Sequence, residues 1–136
     1  MDEPITAEAE AFVRSLADAW LAPRDRECLA CYLDRSVSAF GCSSDLRFAK
    51  RYRDLAAPRS TGLERRLASM GGYCDCEYLM NAVEPARHLW TPEREIVVDG
   101  QPGCTVIEAE YPDTMPPCAG VRARSTQPCS NWSMRR

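Results

Sequence analysis

Apolar residues recur with a helical period through the first half of the chain. The repeat at every fourth position predicts a first helix that Pro23 ends. The apolar residues of that repeat are Phe12, Leu16 and Trp20. A second helix is predicted to begin near Arg24 and to end at Gly41, because glycine favours the left-handed conformation that closes helices. Its apolar face consists of Leu29, Leu33, Val37 and Phe40.

Two shorter helices are predicted next. One spans roughly Asp45–Asp54 and cannot continue past Pro58. The other starts at a capping-box pattern, in which Thr61 accepts a hydrogen bond from the backbone of Glu64 and Glu64 reaches back to Thr61. The glycine pair at 71–72 then supplies a left-handed terminator. The sequence YCDCE therefore begins just beyond a helix end.

The second half is rich in proline and lacks helical periodicity. Two short extended runs, Glu95–Val98 and Thr105–Glu108, flank a turn-like stretch at 99–103, which is typical of a β-hairpin. The stretch from residue 111 onward has no periodicity, so it is either disordered or ordered by something other than an apolar core.

These patterns predict an α+β fold with a mainly helical N-terminal half of about four short helices, a short β-hairpin and an irregular C-terminal tail. The predicted organisation is an N-terminal helix over 1–22, a helical cysteine-motif domain over 23–90, and a hairpin with a tail packed on it over 91–136.

Composition and charge narrow the functional classes. The chain has 136 residues, of which 45% are hydrophobic, and this suffices for one modest domain. Its net charge of −3 provides no global basic field for nucleic acid. A local basic run on the third helix is a candidate nucleic-acid contact, consisting of Arg47, Lys50, Arg51 and Arg53. The acidic N-terminus is unlike a signal peptide, and no apolar run reaches membrane-spanning length, so a cytoplasmic location is expected.

Eight cysteines are too many for chance in a chain expected in a reducing compartment. Cys74 and Cys76 are too close in sequence for an unstrained disulfide. Cys28 and Cys31 form a CxxC pair with redox-like spacing, but no βαβ pattern of the thioredoxin type surrounds them. Zinc prefers four thiolate or imidazole ligands at about 2.0–2.3 Å, and such closely spaced cysteines beside a turn reach one ion readily. One or two zinc ions are therefore favoured over thiol redox chemistry and over inert buried cysteines.

Spacing alone leaves open how the cysteines divide between ions. One grouping joins the CxxC pair with the CxC pair at 74–76. Another uses Cys42, which follows a helix stop and lies about 16 Å from Cys31 along an intact second helix, so that the two belong to different sites. Cys118 and Cys129, each after a proline, then complete a site with the CxxC pair and pin the tail. Cys104, inside an extended run, is interpreted as an ordinary buried thiol. The candidate ligands are Cys28, Cys31, Cys42, Cys74, Cys76, Cys118 and Cys129.

A family resemblance rests on these same residues. The segments Gly71–Glu77, Gly41-Cys42 and Leu46–Phe48 resemble a bacterial family known as the domain of unknown function DUF2695. Cys28–Tyr32, Ala57–Thr61 and the tail segments that contain Cys118 and Cys129 are similar to its longer actinobacterial form. The resemblance spans roughly residues 24–132 and implies no activity.

The resemblance has two implications for the ligands. It implies that Cys42 groups with Cys74 and Cys76. It also places Ser44 where many members have a histidine, so the fourth ligand would be Glu77, His88 or a water.

The favoured function is that of a small zinc-binding regulatory or adaptor module, zinc-responsive, that acts through a protein or ribonucleoprotein partner. The sequence contains no Ser/His/Asp grouping, nucleotide-binding loop or HExxH motif, so a non-enzymatic role is favoured, and neither a membrane nor a small-molecule substrate is inferred. One alternative is a zinc-dependent hydrolytic-type enzyme with an open coordination position beside Glu77. The other is a thiol redox sensor that uses Cys28 and Cys31.

Overall fold

The computed structural model describes the backbone of residues 3–135 and the side chains of residues 6–135. Its class is the expected α+β, with helices mostly in the N-terminal half and two small antiparallel strand pairs. The helices are α1 (Glu3–Leu21), α2 (Leu29–Phe40), α3 (Arg47–Ala56), α4 (Leu63–Ser69) and α5 (Asp75–Glu77). The strands are β1 (Val83–Pro85), β2 (Arg94–Ile96), β3 (Thr105–Ile107) and β4 (Trp132–Met134). Residues 1, 2 and 136, at the ends of the predicted segments 1–22 and 91–136, lie outside the described residues.

The core forms around α2, which packs against α3 and α5. Tyr32 of α2 and Tyr52 of α3 meet at a ring-centroid distance of 5.4 Å. The predicted start of α2 near Arg24 is wrong, because the backbone N–H of Glu27 donates to the carbonyl of Arg24 in a separate turn before the helix. The fully buried residues of α2 are Leu29, Ala30, Tyr32, Leu33 and Ser36.

Helix α1 forms as predicted, but its apolar stripe is not part of the core. Phe12 and Leu16 are 64% and 55% exposed. Only the C-terminal end of the helix is fixed, since the Trp20 ring meets Phe40 edge to face at 5.4 Å and the carbonyl of Leu21 accepts a hydrogen bond from the hydroxyl of Tyr32. Phe12 and Leu16 of the stripe therefore stay exposed to solvent, whereas Trp20 is packed.

Helix α4 ends as predicted but does not start as predicted. The capping box is wrong: Gly62 is the N-cap residue without a side-chain hydrogen bond, and Glu64 instead pairs with Arg53 at 2.9 Å. At the other end Gly71 has a φ of +83°, and the N–H of Gly72 donates to the carbonyl of Leu67. This left-handed closure turns the chain directly into Tyr73 and the CxC pair.

The two strand pairs differ in the sequence separation of their strands and in their position in the fold. The predicted hairpin is present as β2 paired with β3, and it stands at the surface. The pairing of β1 with β4 was not foreseen; it joins the segment after α5 to the end of the tail. Before β1, α5 continues as a π-helical turn over Tyr78–Ala82, and a 3-10 turn spans Arg87–Leu89 between β1 and β2. Within the described residues, no helix combines the length and the apolar character that crossing a membrane requires.

Candidate metal centres

Two groups of cysteine sulfurs among the described residues are positioned to hold a metal ion, and in each group all sulfurs lie within 4.8 Å of one another. The four-cysteine site consists of Cys28, Cys31, Cys118 and Cys129. The three-cysteine site consists of Cys42, Cys74 and Cys76. The grouping of the CxxC pair with the CxC pair is therefore not found. The interpretation of Cys104 as buried is wrong, because the β2–β3 hairpin extends away from the core and leaves this thiol exposed.

The four-cysteine site is built on the first turn of α2. Cys28 is the N-cap residue of that helix, and its sulfur accepts a hydrogen bond from the N–H of Cys31 at 3.3 Å. The sulfur of Cys118 accepts from the N–H groups of Cys28 and Gly120, each at 3.3 Å. These amides spread the charge of a thiolate without adding a ligand. The CxxC spacing thus caps the helix through Cys28 and places two candidate ligands at its start.

One sulfur–sulfur distance of the four-cysteine site equals that expected around a tetrahedral ion. Zinc–sulfur bonds of about 2.3 Å in a tetrahedron place the sulfurs about 3.8 Å apart, and the sulfurs of Cys31 and Cys129 are 3.8 Å apart. The indole N–H of Trp132 donates to the sulfur of Cys31 at 3.3 Å. Four clustered thiolates, two of them buried and two half-buried, would repel one another without a cation, so a cation of suitable size would satisfy this donor set.

The protonation of these thiols reflects the same crowding. A hydrogen bond from the Cys31 thiol lowers the pKa of Cys28 to about 5, against the effect of burial. That interaction and burial raise the pKa of Cys31, and burial raises the pKa of Cys129. Of these three thiols Cys28 is the one that ionises most readily, and a bound cation would displace the protons of Cys31 and Cys129.

The tail is fastened around the four-cysteine site by hydrogen bonds as well as by its cysteines. The hydroxyl of Tyr52 lies 2.7 Å from the carbonyl oxygen of Glu27 and 3.0 Å from that of Ser125, so it links the turn before α2 to the tail. The N–H of Val121 donates to the carbonyl of Arg26 at 2.9 Å. A segment without apolar periodicity is thus held by polar contacts and by sulfur.

The three-cysteine site lies where α2 ends and α5 begins. Cys42 follows Gly41, which has a φ of +77° and closes α2. Cys74 is the N-cap residue of α5, and its sulfur lies 3.4 Å from that of Cys76. Burial raises the pKa of Cys74 to about 12. Burial acts to raise the pKa of Cys42 too, but hydrogen bonds from the backbone and side chain of Cys76 outweigh it and lower that pKa.

Asp75, the residue between Cys74 and Cys76 in the sequence, stabilises the start of α3, and the sequence analysis did not identify this role. Its carboxylate is fully buried and accepts hydrogen bonds from the N–H groups of Phe48 and Ala49, each at 3.0 Å. These amides are in the first turn of α3, whose N-cap residue Leu46 has no side chain that can accept them. A helix start without a capping residue was the available signal. Asp75 therefore ties the CxC segment to α3.

The two candidates for a fourth ligand lie in different surroundings. The carboxylate of Glu77 is 3.4 Å from the sulfur of Cys74, so Glu77 borders the three-cysteine site without joining the set of mutually close donors. His88 lies exposed in the 3-10 turn and belongs to neither group.

The candidate nucleic-acid residues of α3 are mostly engaged within the chain. Arg47 bonds the carbonyls of Phe40 and Gly41 at 3.3–3.4 Å. Arg51 pairs with Asp18 at 3.3 Å, and Arg53 pairs with Asp54 and Glu64. Lys50 is half-buried on the same helix. The charges of Arg51 and Arg53, balanced by carboxylates, attract phosphate weakly, whereas Arg47 keeps its charge beside Cys42.

Comparison with known proteins yields one match. A family described as "Protein of unknown function (DUF2695)" matches residues 29–81, which confirms the resemblance expected from the sequence. The matched segment contains the whole three-cysteine site and α2 to α5, whereas Cys28, Cys118 and Cys129 lie outside it. No curated protein and no solved structure matches the chain.

Proposed function

We propose that the protein is a zinc-binding regulatory or adaptor module in which the four-cysteine site holds a structural zinc ion. The observation that carries this proposal is the convergence of four sulfurs, two from the start of α2 and two from the tail, to within 4.8 Å of one another. A tetrahedral set of four thiolates is the ligand set of structural zinc and of iron–sulfur centres. Zinc is favoured because a single ion suffices for four cysteines that converge on one point.

The zinc ion stabilises a tail that has few apolar contacts of its own. Cys129 and Trp132 are buried, but much of the segment 108–124 is exposed or half-buried. The binding free energy of the ion becomes folding free energy, because the unfolded chain cannot hold the four sulfurs together. Free thiolate ligands also point to a reducing compartment, the cytoplasm.

A protein partner fits the rest of the surface better than nucleic acid. Phe12 and Leu16 of the stripe on α1, together with Val13, form an apolar face that no element covers in the part of the chain the structure describes. Such a face is typical of a helix that docks into a groove of another protein. Arg51 and Arg53 of α3 are paired with carboxylates within the chain, which argues against an RNA surface there. A ribonucleoprotein partner would then be contacted through its protein component.

A thiol redox sensor is a second candidate, because the lowered pKa of Cys28 is typical of a reactive thiolate. However, Cys28 is 0% exposed, so an oxidant in solution cannot reach its sulfur without movement of the tail. A hydrolytic-type zinc enzyme is favoured only by the carboxylate of Glu77 beside Cys74.

Metal analysis of purified protein tests the proposal. We expect zinc in the wild-type protein, loss of one ion in Cys118→Ser, and unchanged content in Cys104→Ser, since Cys104 is exposed and belongs to neither site. Circular dichroism before and after chelation should show loss of structure. Protein purified and reconstituted anaerobically that binds no zinc, or that prefers iron, would overturn the proposal. Reversible Cys28–Cys31 oxidation in metal-free protein would instead support the redox sensor.

A further inference from the structure

We propose that the three-cysteine site holds an exchangeable ion whose fourth ligand is a thiolate from outside the chain. This inference rests on the proposed zinc function and assigns a separate role to the second site. The four-cysteine ion holds the fold together, whereas the three-cysteine ion is the one that responds to the supply of metal and thiol.

The coordination number gives the first argument. Zinc takes four ligands in thiolate sites. Cys42, Cys74 and Cys76 offer three sulfurs, and among the described residues no further cysteine, histidine or carboxylate joins that set. The nearest carboxylate, that of Glu77, accepts a hydrogen bond from the Cys74 thiol at 3.4 Å. One position on the ion is left for an external donor.

Access gives the second argument. Cys42 and Cys76 are half-buried, and Ser43 and Ser44 beside them are exposed. Tyr73, just before the CxC pair, is 67% exposed. At the four-cysteine site Cys31 and Cys118 are half-buried too, but Cys28 and Cys129 are buried, at 0% and 3% exposure, and two of the four ligands belong to the tail. Two of three ligands are thus partly exposed at the three-cysteine site and two of four at the other, so an incoming ligand reaches the three-cysteine ion with less movement of the chain.

The chemistry of the site favours a thiolate as the external donor. Three sulfur ligands suit a soft ion that accepts further soft ligands. The guanidinium of Arg47 bonds the carbonyls of Phe40 and Gly41, immediately before Cys42. This positive charge opposes the negative charge that a fourth thiolate adds. The thiolate has two sources, a small thiol or a cysteine of a partner protein.

Release of zinc to a chromophoric chelator tests the difference in exchange. We expect wild-type protein to release two ions in two phases whose rates differ by about tenfold or more, because one site opens without movement of the tail. Cys42→Ser should lose the fast phase and Cys118→Ser the slow one. Cys104→Ser should keep both, which controls for the removal of a thiol.

Cobalt(II)-loaded protein tests the external ligand. Addition of glutathione should change the visible cobalt bands of the wild type and of Cys118→Ser but not those of Cys42→Ser. A response to glutathione identifies a small thiol as the donor, and a response only to a cysteine-containing peptide identifies a macromolecular one. No response to either would overturn the assignment of a thiolate.

The outcomes separate the two proposals. Absence of bound zinc at both sites would overturn the proposed function. Two bound ions released at one rate, or a fast phase lost in Cys118→Ser, would overturn only the present inference. If Cys42→Ser fails to fold by circular dichroism, Cys76→Ser replaces it, and the two phases of the wild type decide the question without any variant.

Discussion

At the scale of single residues, Asp75 caps the start of α3, which its own N-cap residue, Leu46, cannot do. Leu46 offers no acceptor, and the buried carboxylate of Asp75 takes the N–H groups of Phe48 and Ala49. The spacing of Cys74 and Cys76 was sufficient to predict a ligand pair, but the role of the residue between them was not predictable. Its partners lie 26 and 27 positions away, and contacts at that distance depend on how the helices pack.

Replacement of Asp75 by alanine should destabilise the protein. Two buried amide donors lose their acceptor, and we expect a loss of about 2 kcal/mol in the free energy of unfolding. Urea denaturation of the zinc-loaded protein measures it. Asp45→Ala is the control, because Asp45 is exposed and its bonds, from the N–H of Arg47 at 3.3 Å and from the Ser43 hydroxyl at 2.7 Å, form in contact with solvent. Equal losses in the two variants would contradict the capping role.

Trp132 should tune the affinity of the four-cysteine site. Its indole N–H donates to the sulfur of Cys31, so Trp132→Phe removes charge stabilisation from a ligand and should weaken zinc binding about tenfold. Competition with a chelator of known affinity measures the change. Trp90→Phe removes a similar donor from the carbonyl of Pro85 and should leave zinc affinity unchanged. An affinity of Trp132→Phe equal to that of the wild type would show that this bond is irrelevant to the ion.

At the scale of elements, the two ends of α4 show which signals a sequence carries reliably. The left-handed closure at Gly71 was predicted because it is a local property of the backbone, with φ at +83°. The capping box failed because Glu64 has a stronger alternative, the guanidinium of Arg53 on another helix. The start of α2 was misplaced for a related reason. The residues before Cys28 form their own turn, in which Glu27 bonds the backbone of Arg24 and the side chain of Arg35.

The closure of α4 should be sensitive to a single methyl group. A Cβ on Gly71 would meet Asn81 at 3.2 Å and would force an alanine into a left-handed conformation. We expect Gly71→Ala to lower the free energy of unfolding by about 1–2 kcal/mol. Gly62→Ala, where nothing lies within 4 Å, should change it by less than about 0.5 kcal/mol. Thermal unfolding of both variants measures these changes. A Gly71→Ala variant as stable as the wild type would show that the left-handed conformation at residue 71 is not required.

At the scale of the whole molecule, the division into a periodic half and an aperiodic half was readable from the sequence. The absence of periodicity after residue 111, together with two cysteines, predicted a tail held by something other than an apolar core. The pairing of β1 with β4 was not predictable, because strands of three residues carry almost no pattern. The exposure of the stripe on α1 was also hidden, since an amphipathic helix looks the same whether its face meets a core or a partner.

Chelation should release the tail before it unfolds the helices. Arg122 and Arg124 are exposed in the tail and offer trypsin sites. We expect their cleavage to become about tenfold faster after zinc removal, because local opening then costs less free energy. Cleavage at Arg14 in α1 should not change, since that exposed residue lies far along the chain from both sites. Mass spectrometry of the fragments over time measures the rates of cleavage in the tail and at Arg14. An equal increase in both rates would contradict a release of the tail alone.

Most of α1 should be dispensable for stability. Residues 6–16 are exposed, so removal of residues 1–16 should change the free energy of unfolding by less than about 1 kcal/mol. Trp20→Ala should cost more, about 1–2 kcal/mol, because Trp20 packs against Phe40 and Arg35. Chemical denaturation measures the free energy of unfolding of the truncated protein and of Trp20→Ala. A large loss on truncation would mean that the apolar stripe supports the fold after all.

The order of biosynthesis gives the four-cysteine site one further consequence. Cys28 and Cys118 are 90 positions apart, so the second pair of ligands leaves the ribosome long after the first. Nascent chains that stop early, or messages cut short, yield products that retain the whole three-cysteine site but never complete the other. Quality-control proteases that recognise loose ends would remove those products selectively. Capture of an ion at the four-cysteine site would thereby mark chains whose translation has passed Cys129.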